Sequence, residues 1–253
     1  MFRLALITFL ALAAAPGAGR AQAASPAECV ILLHGLARTD ASLRVMERSL
    51  IAAGYATANQ GYASTEDPIA TLAETALADA RARCADDPTP AVVTHSMGAI
   101  LLRVYAAAHP DLAWGRVVML GPPNHGSEII DTFGGLALFE VLNGPAGLQL
   151  GTDGVPVSLP PVPFETGVIA GTQSLNPVFS AVIEGRDDGK VSVDSTRVAG
   201  MSAHLILPVT HTFMMQNPRV IVQVLSFLDT GAFVDGLGAA EALADLVAIW
   251  AGP

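Results

Sequence analysis

Positive charge is scarce in this chain: 13 Lys and Arg stand against 23 Asp and Glu, and the net charge is −10 with His neutral. No Lys/Arg cluster occurs, so there is no electrostatic footprint for phosphate backbones or anionic lipid heads, and nucleic acid is excluded as a partner. Cysteine is nearly absent. Cys29 and Cys84 are the only two, too few for a zinc cage; in an exported chain they read as one disulfide, the alternative being two separately buried thiols. Charged residues make up 14% and hydrophobic ones 51%, a balance that excludes disorder and fits one well-packed domain. No internal repeat or low-complexity linker divides the sequence.

The N-terminus carries Arg3, an apolar run of about a dozen residues, and then Ala21-Gln22-Ala23, the small-x-small pattern of a cleaved export signal. The run is well short of the ~20 residues of a spanning helix, so no stable membrane span is expected after its removal. We read residues 1–23 as a signal peptide cut after Ala23 and 24–253 as the mature domain. That domain has 11 basic and 23 acidic residues, a net charge of −12. Its destination is the periplasm or the exterior.

Cys29 opens the run C-V-I-L-L-H-G-L (29–36), continuously apolar up to His-Gly, as in a strand buried on both faces of a parallel sheet. Leu43, Met46, Leu50 and Ala53 recur at helical spacing, and Gly54 supplies a stop. A weak strand at 55–62 precedes a helix over 69–84 with Leu72, Ala76 and Ala80 on one face. The strand P-A-V-V-T-H (90–95), a helix over 97–108 and the strand G-R-V-V-M-L-G-P-P (115–123) follow, then strands at 167–171 and 205–209. Asn217-Pro218 opens the last clear helix with a capping side chain and a first-turn proline. Strands alternating with helices of ten to fifteen residues define an α/β class with a mostly parallel sheet and helices on both faces.

Ser96 stands where the strand 90–95 gives way to a helix, at the carboxyl edge where open α/β sheets place their ligands. Serine at this junction is either a helix cap or a nucleophile on a tight G-x-S-x-G turn, whose flanking small residues let the backbone close. Gly98 satisfies the second small position. Thr94 departs from the first. His34-Gly35-Leu36 ends an earlier strand where a backbone N–H can meet a developing oxyanion, so the amides of Leu36 and Met97 are the candidate donors.

A serine hydroxyl needs a base, and the base needs a carboxylate to fix its tautomer. Six His compete. His34 and His95 flank the candidate oxyanion residue and serine, and His109 looks like a helix end; His125 and His204 are harder to set aside. His211 is best placed, between the strand 205–209 and the helix at Asn217. The acid must lie between 96 and 211 in the chain order of this fold, and E-G-R-D-D-G-K-V-S-V-D-S (184–195) offers Asp187, Asp188 and Asp194. Asp188, directly before Gly189, is preferred, because a sharp turn there aims its carboxylate inward.

Together V-I-L-L-H-G-L, V-T-H-S-M-G, V-V-M-L-G-P-P-N-H-G-S, D-D-G-K-V-S-V and L-P-V-T-H-T-F-M-M resemble the α/β-hydrolase superfamily, specifically its bacterial lipase-like serine esterases, from Cys29 to about Asp229. The resemblance implies Ser96 as nucleophile, Asp188 as acid and His211 as base, with G-P-P-N-H-G-S as a pocket wall leading into a cap. Thr94 in place of the usual glycine implies a less strained turn at the serine.

The expected chemistry is hydrolysis of a small acyl ester or lipid through an acyl-enzyme, and it calls for no metal or organic cofactor. Transfer of the acyl group to another acceptor, or a silent binding protein on the same fold, are the alternatives. Residues 127–165 are long, Gly- and Pro-rich and studded with Ile129, Ile130, Phe133, Leu136, Leu138, Phe139, Val141 and Leu142. They read either as a cap over an acyl-binding pocket or as helices packed on the sheet. In the tail, Leu243, Val247 and Trp250 share a helical face, read as core packing or a partner contact.

Overall fold

The computed structural model describes residues 28–252; the expected signal peptide lies outside them. Six strands form one sheet: β1 (Cys29–Leu33), β2 (Ala56–Gln60), β3 (Ala91–His95), β4 (Val117–Leu120), β5 (Thr166–Gln173) and β6 (Ala203–Thr210), in the spatial order β2-β1-β3-β4-β5-β6. Every neighbouring pair is parallel. β1, β3 and β4 are buried at every residue, which is why their sequences are unbroken apolar runs rather than alternations.

The two faces divide those runs by parity. Ile31, Leu33, Val92, Val117 and Met119 pack with α2 (Ile69–Arg83) and α3 (Met97–Ala108). Val30, Leu32, Val93, Val118 and Leu120 pack on the other side with α1 (Arg44–Ala52) and α8 (Pro218–Thr230). α9 (Ala239–Ala251) lies against α8 and α1. The Asn217 side chain accepts a hydrogen bond from the Arg219 N–H at the start of α8, and Gly231, left-handed at φ 78°, ends that helix. Gly54, at φ 97°, follows α1 as its stop.

Cys29 and Cys84 are bonded, joining the start of β1 to the residue after α2 across 55 positions. The strand 115–123 is shorter than expected, because Gly121 turns the chain at φ 53° before the two prolines. Residues 127–165 hold three helices: α4 (Glu128–Phe133), α5 (Ala137–Leu148), kinked at Gly144, and α6 (Val155–Ser158). A fourth short helix, α7 (Pro177–Ser180), follows β5. Of the two readings of the tail face, core packing is not found. Leu243, Val247 and Trp250 are all half exposed or more, whereas Ala242 and Leu246 are buried against the sheet-covering helices. No helix among the described residues is long and apolar enough to cross a membrane.

Candidate active site

Ser96 and His211 stand at the carboxyl ends of β3 and β6, and Asp188 is held against His211 from the loop before β6. The crevice sits between β1 and β3, where successive strands are added in opposite directions, the position at which open parallel sheets bind ligands. Ser96 follows β3 with φ 53° and ψ −123°, a conformation a non-glycine residue adopts only when its surroundings impose it. The less strained turn implied by Thr94 is therefore not found; Thr94 is fully buried and the turn forms with it in place. Gly98 is what the turn requires. A Cβ there would lie 2.6 Å from the Leu33 carbonyl oxygen and 2.8 Å from that of His34.

His211 follows β6 and is buried. Its Nδ1 lies 2.7 Å from Asp188 Oδ2, and its backbone N–H donates to the Asp188 carbonyl at 2.9 Å. The other carboxylate oxygen, Oδ1, accepts the N–H groups of Lys190 at 3.0 Å and Val191 at 2.9 Å. The Asp-Gly turn thus holds Asp188 from both sides, with its side chain wholly buried. Asp187, the runner-up, accepts instead from Ser180 Oγ and the Gly189 N–H, stabilising the turn itself. Asp194 is exposed beside Arg197. His125 is exposed, His204 contacts Thr196 Oγ1 at 2.9 Å, and His109 pairs with Glu74 at 2.8 Å.

The remaining two imidazoles are structural neighbours of the site. His95 Nε2 lies 3.0 Å from the His211 carbonyl oxygen, so it carries the proton it donates there, and Nδ1 is buried without a partner. Its pKa is pushed well below the ordinary histidine value, first by desolvation and then by the nearby His211 and Arg38 charges. His34 stacks on Tyr62 with ring centroids 4.0 Å apart; its Nδ1 donates to the Gly35 carbonyl and its Nε2 accepts from the Tyr62 N–H. Tyr62 returns a hydroxyl bond to the His34 carbonyl. Burial lowers the pKa of His34 as well.

One glycine that the motifs did not single out completes the arrangement. Gly121 bends away from β4 at φ 53°, and a Cβ there would stand 3.0 Å from Asp188 Oδ2, 3.1 Å from His211 Nδ1 and 3.2 Å from Met214 Sδ. A side chain on the residue after β4 would press on the carboxylate–imidazole pair and force it to give by a few tenths of an ångström. The G-P-P sequence marked the turn, and the contact itself depends on the later strands.

Ser96, His211 and Leu36 line one cavity of about 390 Å³. Its walls are mostly apolar: Ile129 and Ile130 from α4, Phe139 and Leu142 from α5, Leu150, and Phe179 from α7. Among the described residues no hydrogen bond joins the Ser96 hydroxyl to His211; the two meet as walls of this cavity. Met97 is the first residue of α3, where a backbone N–H has no intrahelical acceptor, and among the described residues neither it nor the Leu36 N–H has a protein acceptor. Residues 127–165 both line the cavity and leave apolar side chains outside it. Leu138 is 71% and Val141 80% exposed, so not all of the segment's apolar side chains pack against the rest of the domain. No three His, Cys, Asp or Glu side chains among the described residues gather as a metal site would require.

This arrangement of sheet, turn and crevice is the α/β-hydrolase fold, shared with bacterial lipases and esterases of low sequence identity. The mature form of lipase BlEst2 from Bacillus licheniformis superposes with a TM-score of 0.64 at 17% identity, covering 84% of this chain and 96% of that one. Phospholipase PlaB from Legionella pneumophila, in complex with thio-NAD, gives 0.67 at 16% identity over 88% of this chain; the match spans only 62% of PlaB. The metagenomic carboxyl esterase MGS0156 gives 0.57 at 17% identity, covering 90% of this chain and 76% of that one. No protein-family model and no curated protein sequence matches the chain.

Proposed function

We propose that the protein is an exported serine hydrolase of carboxylic esters, with Ser96 as nucleophile, His211 as general base and acid, and Asp188 as the group that orients His211. The observation that carries this reading is the combination of a strained serine and an aspartate-held imidazole on one apolar-walled cavity. A serine at such a turn is expensive to maintain as a mere helix cap, at roughly 1–3 kcal/mol of backbone strain. It also makes no capping hydrogen bond with its side chain.

In the reaction, Ser96 Oγ attacks the ester carbonyl as its proton passes to His211 Nε2. The proton on Nδ1 stays with the imidazole, held by Asp188 Oδ2, and the imidazolium is stabilised by that carboxylate. The tetrahedral oxyanion takes the backbone N–H groups of Leu36 and Met97. Collapse breaks the bond to the alcohol, which leaves with the proton from Nε2. Water, deprotonated by the same nitrogen, then releases the acid and regenerates Ser96. The apolar wall from α4 and α5 accommodates the acyl chain, with residues 127–165 as its cap. Export is supported by the leader pattern in residues 1–23 and by the Cys29–Cys84 bond, which persists in oxidising compartments.

The test is Ser96→Ala on purified protein with 4-nitrophenyl acyl esters from acetate to palmitate, alongside fluorophosphonate labelling. Turnover and labelling are both expected to vanish in the variant while the far-ultraviolet circular dichroism is retained. Wild-type hydrolysis by Ser96→Ala would reject the assignment.

A further inference from the structure

The walls of the cavity hold only two side chains of fixed charge, and both are cationic: Arg38 and Lys190. The chain as a whole has the opposite balance, 23 acidic residues to 13 basic. Neither cation is ion-paired among the described residues. Arg38 spends one donor on the Thr212 carbonyl at 3.0 Å, leaving the rest of its guanidinium uncommitted. Lys190, exposed to solvent, is two residues beyond Asp188. Desolvation and then the Arg38 charge both lower its pKa, against the pull of Asp188. Two like charges within each other's field, offset only in part by Asp188, raise the energy of the empty site; an anion between them lowers it.

Their position selects the part of the substrate that bears the anion. Arg38 is anchored to Thr212, the neighbour of His211, and Lys190 belongs to the turn that carries Asp188, the partner of His211. Both cations thus belong to segments held to the His211 loop and share the cavity wall with its imidazole. In an ester hydrolase the imidazole hands its proton to the departing alcohol oxygen, so what surrounds it surrounds the alcohol, while the acyl chain occupies the apolar wall.

We infer that the preferred substrate is an ester whose alcohol portion carries a negatively charged group, a phosphate or a carboxylate, recognised by Arg38 and Lys190. The inference rests on the ester hydrolase reading and adds the substrate class to it.

The test uses soluble butyrate esters below any aggregation limit, so that no lipid surface intervenes: 1-butyrylglycerol 3-phosphate and O-butyrylglycolate as anionic probes, 1-butyrylglycerol as neutral, and butyrylcholine as cationic. At low ionic strength kcat/KM for at least one anionic ester is expected to exceed that of the neutral ester by about tenfold or more, with butyrylcholine poorest. The anionic-to-neutral ratio should fall toward one in Arg38→Gln/Lys190→Gln, persist in Lys190→Arg, and shrink in 0.5 M salt as screening sets in. A ratio reports charge recognition even where a variant loses general activity. A wild-type ratio of one or less for both anionic probes, or an undiminished ratio in the double variant, overturns the inference and leaves the hydrolase reading standing. Failure of wild-type protein to hydrolyse any of the four esters, or full activity of Ser96→Ala, overturns both.

Discussion

Gly121→Ala isolates the contact on which the proposed catalytic geometry depends. The added methyl group meets two costs in turn. At φ 53° an L-residue pays about 1 kcal/mol of backbone strain. The methyl group would also come within 3.0 Å of Asp188 Oδ2 and 3.1 Å of His211 Nδ1, so one or both must retreat and their 2.7 Å bond must lengthen. Loss of a buried hydrogen bond to a charged group adds about 1.5–3 kcal/mol, for a total near 3 kcal/mol. An imidazole displaced by a fraction of an ångström to an ångström costs about a hundredfold in turnover. Gly54→Ala is the matched control, because Gly54 sits at φ 97° with nothing within 4 Å of its Cβ position. It should lose about 1 kcal/mol from strain alone and keep its kcat. The assays are guanidinium unfolding and kcat for 4-nitrophenyl butyrate. If Gly121→Ala matches Gly54→Ala in both stability and kcat, the close approach of Gly121 to the carboxylate–imidazole pair does not govern the site.

Two further outcomes are expected. Reducing the Cys29–Cys84 bond, which closes a loop of 55 residues, should lower the unfolding free energy by about 4 kcal/mol on the chain-entropy account; guanidinium midpoints with and without dithiothreitol measure this, and an unchanged midpoint refutes it. His34 and His95 have pKa values lowered by burial, so below about pH 6.5 the unfolded chain takes up protons that the folded chain refuses. Their contribution to stability is complete above that pH and is lost as pH falls toward their folded values, by up to about 1.4 kcal/mol per pH unit for each group. Urea unfolding at pH 7.5, 6.5 and 5.5 should show this decline, shallower in His95→Gln; stability that rises on acidification would contradict it.

Much of this architecture is legible because a parallel sheet imposes a coarse code. A strand covered on both faces must be apolar at every position, and V-I-L-L and A-V-V at β1 and β3 have no other simple reading. Ser96, Asp188 and His211 are legible for a related reason: each is flagged by local punctuation, a glycine two residues on, an Asp-Gly turn, a strand end before a helix cap. Features set by contact between distant segments are not. His95 is legible as a neighbour of Ser96, but its bond to the His211 carbonyl joins residues 116 positions apart. The core-packing reading of the tail helix fails in a different way. Judging its face by the largest residues selects Leu243, Val247 and Trp250, whereas the crowded groove beside α1 and α8 admits the small Ala242 together with Leu246.

The same distinction separates charge as composition from charge as a site. An acidic chain with no basic cluster along its sequence gives no expectation of a broad positive surface, and that expectation concerns composition alone. It does not extend to a cavity, where two cations from the loops after β1 and before β6 share the walls with no carboxylate among the lining side chains. The surrounding negative charge sharpens the selection rather than opposing it. Anionic esters are repelled from most of the surface and attracted at one crevice, so productive binding of such a substrate depends on Arg38 and Lys190 more strongly than it would on a neutral protein. High salt should weaken both effects.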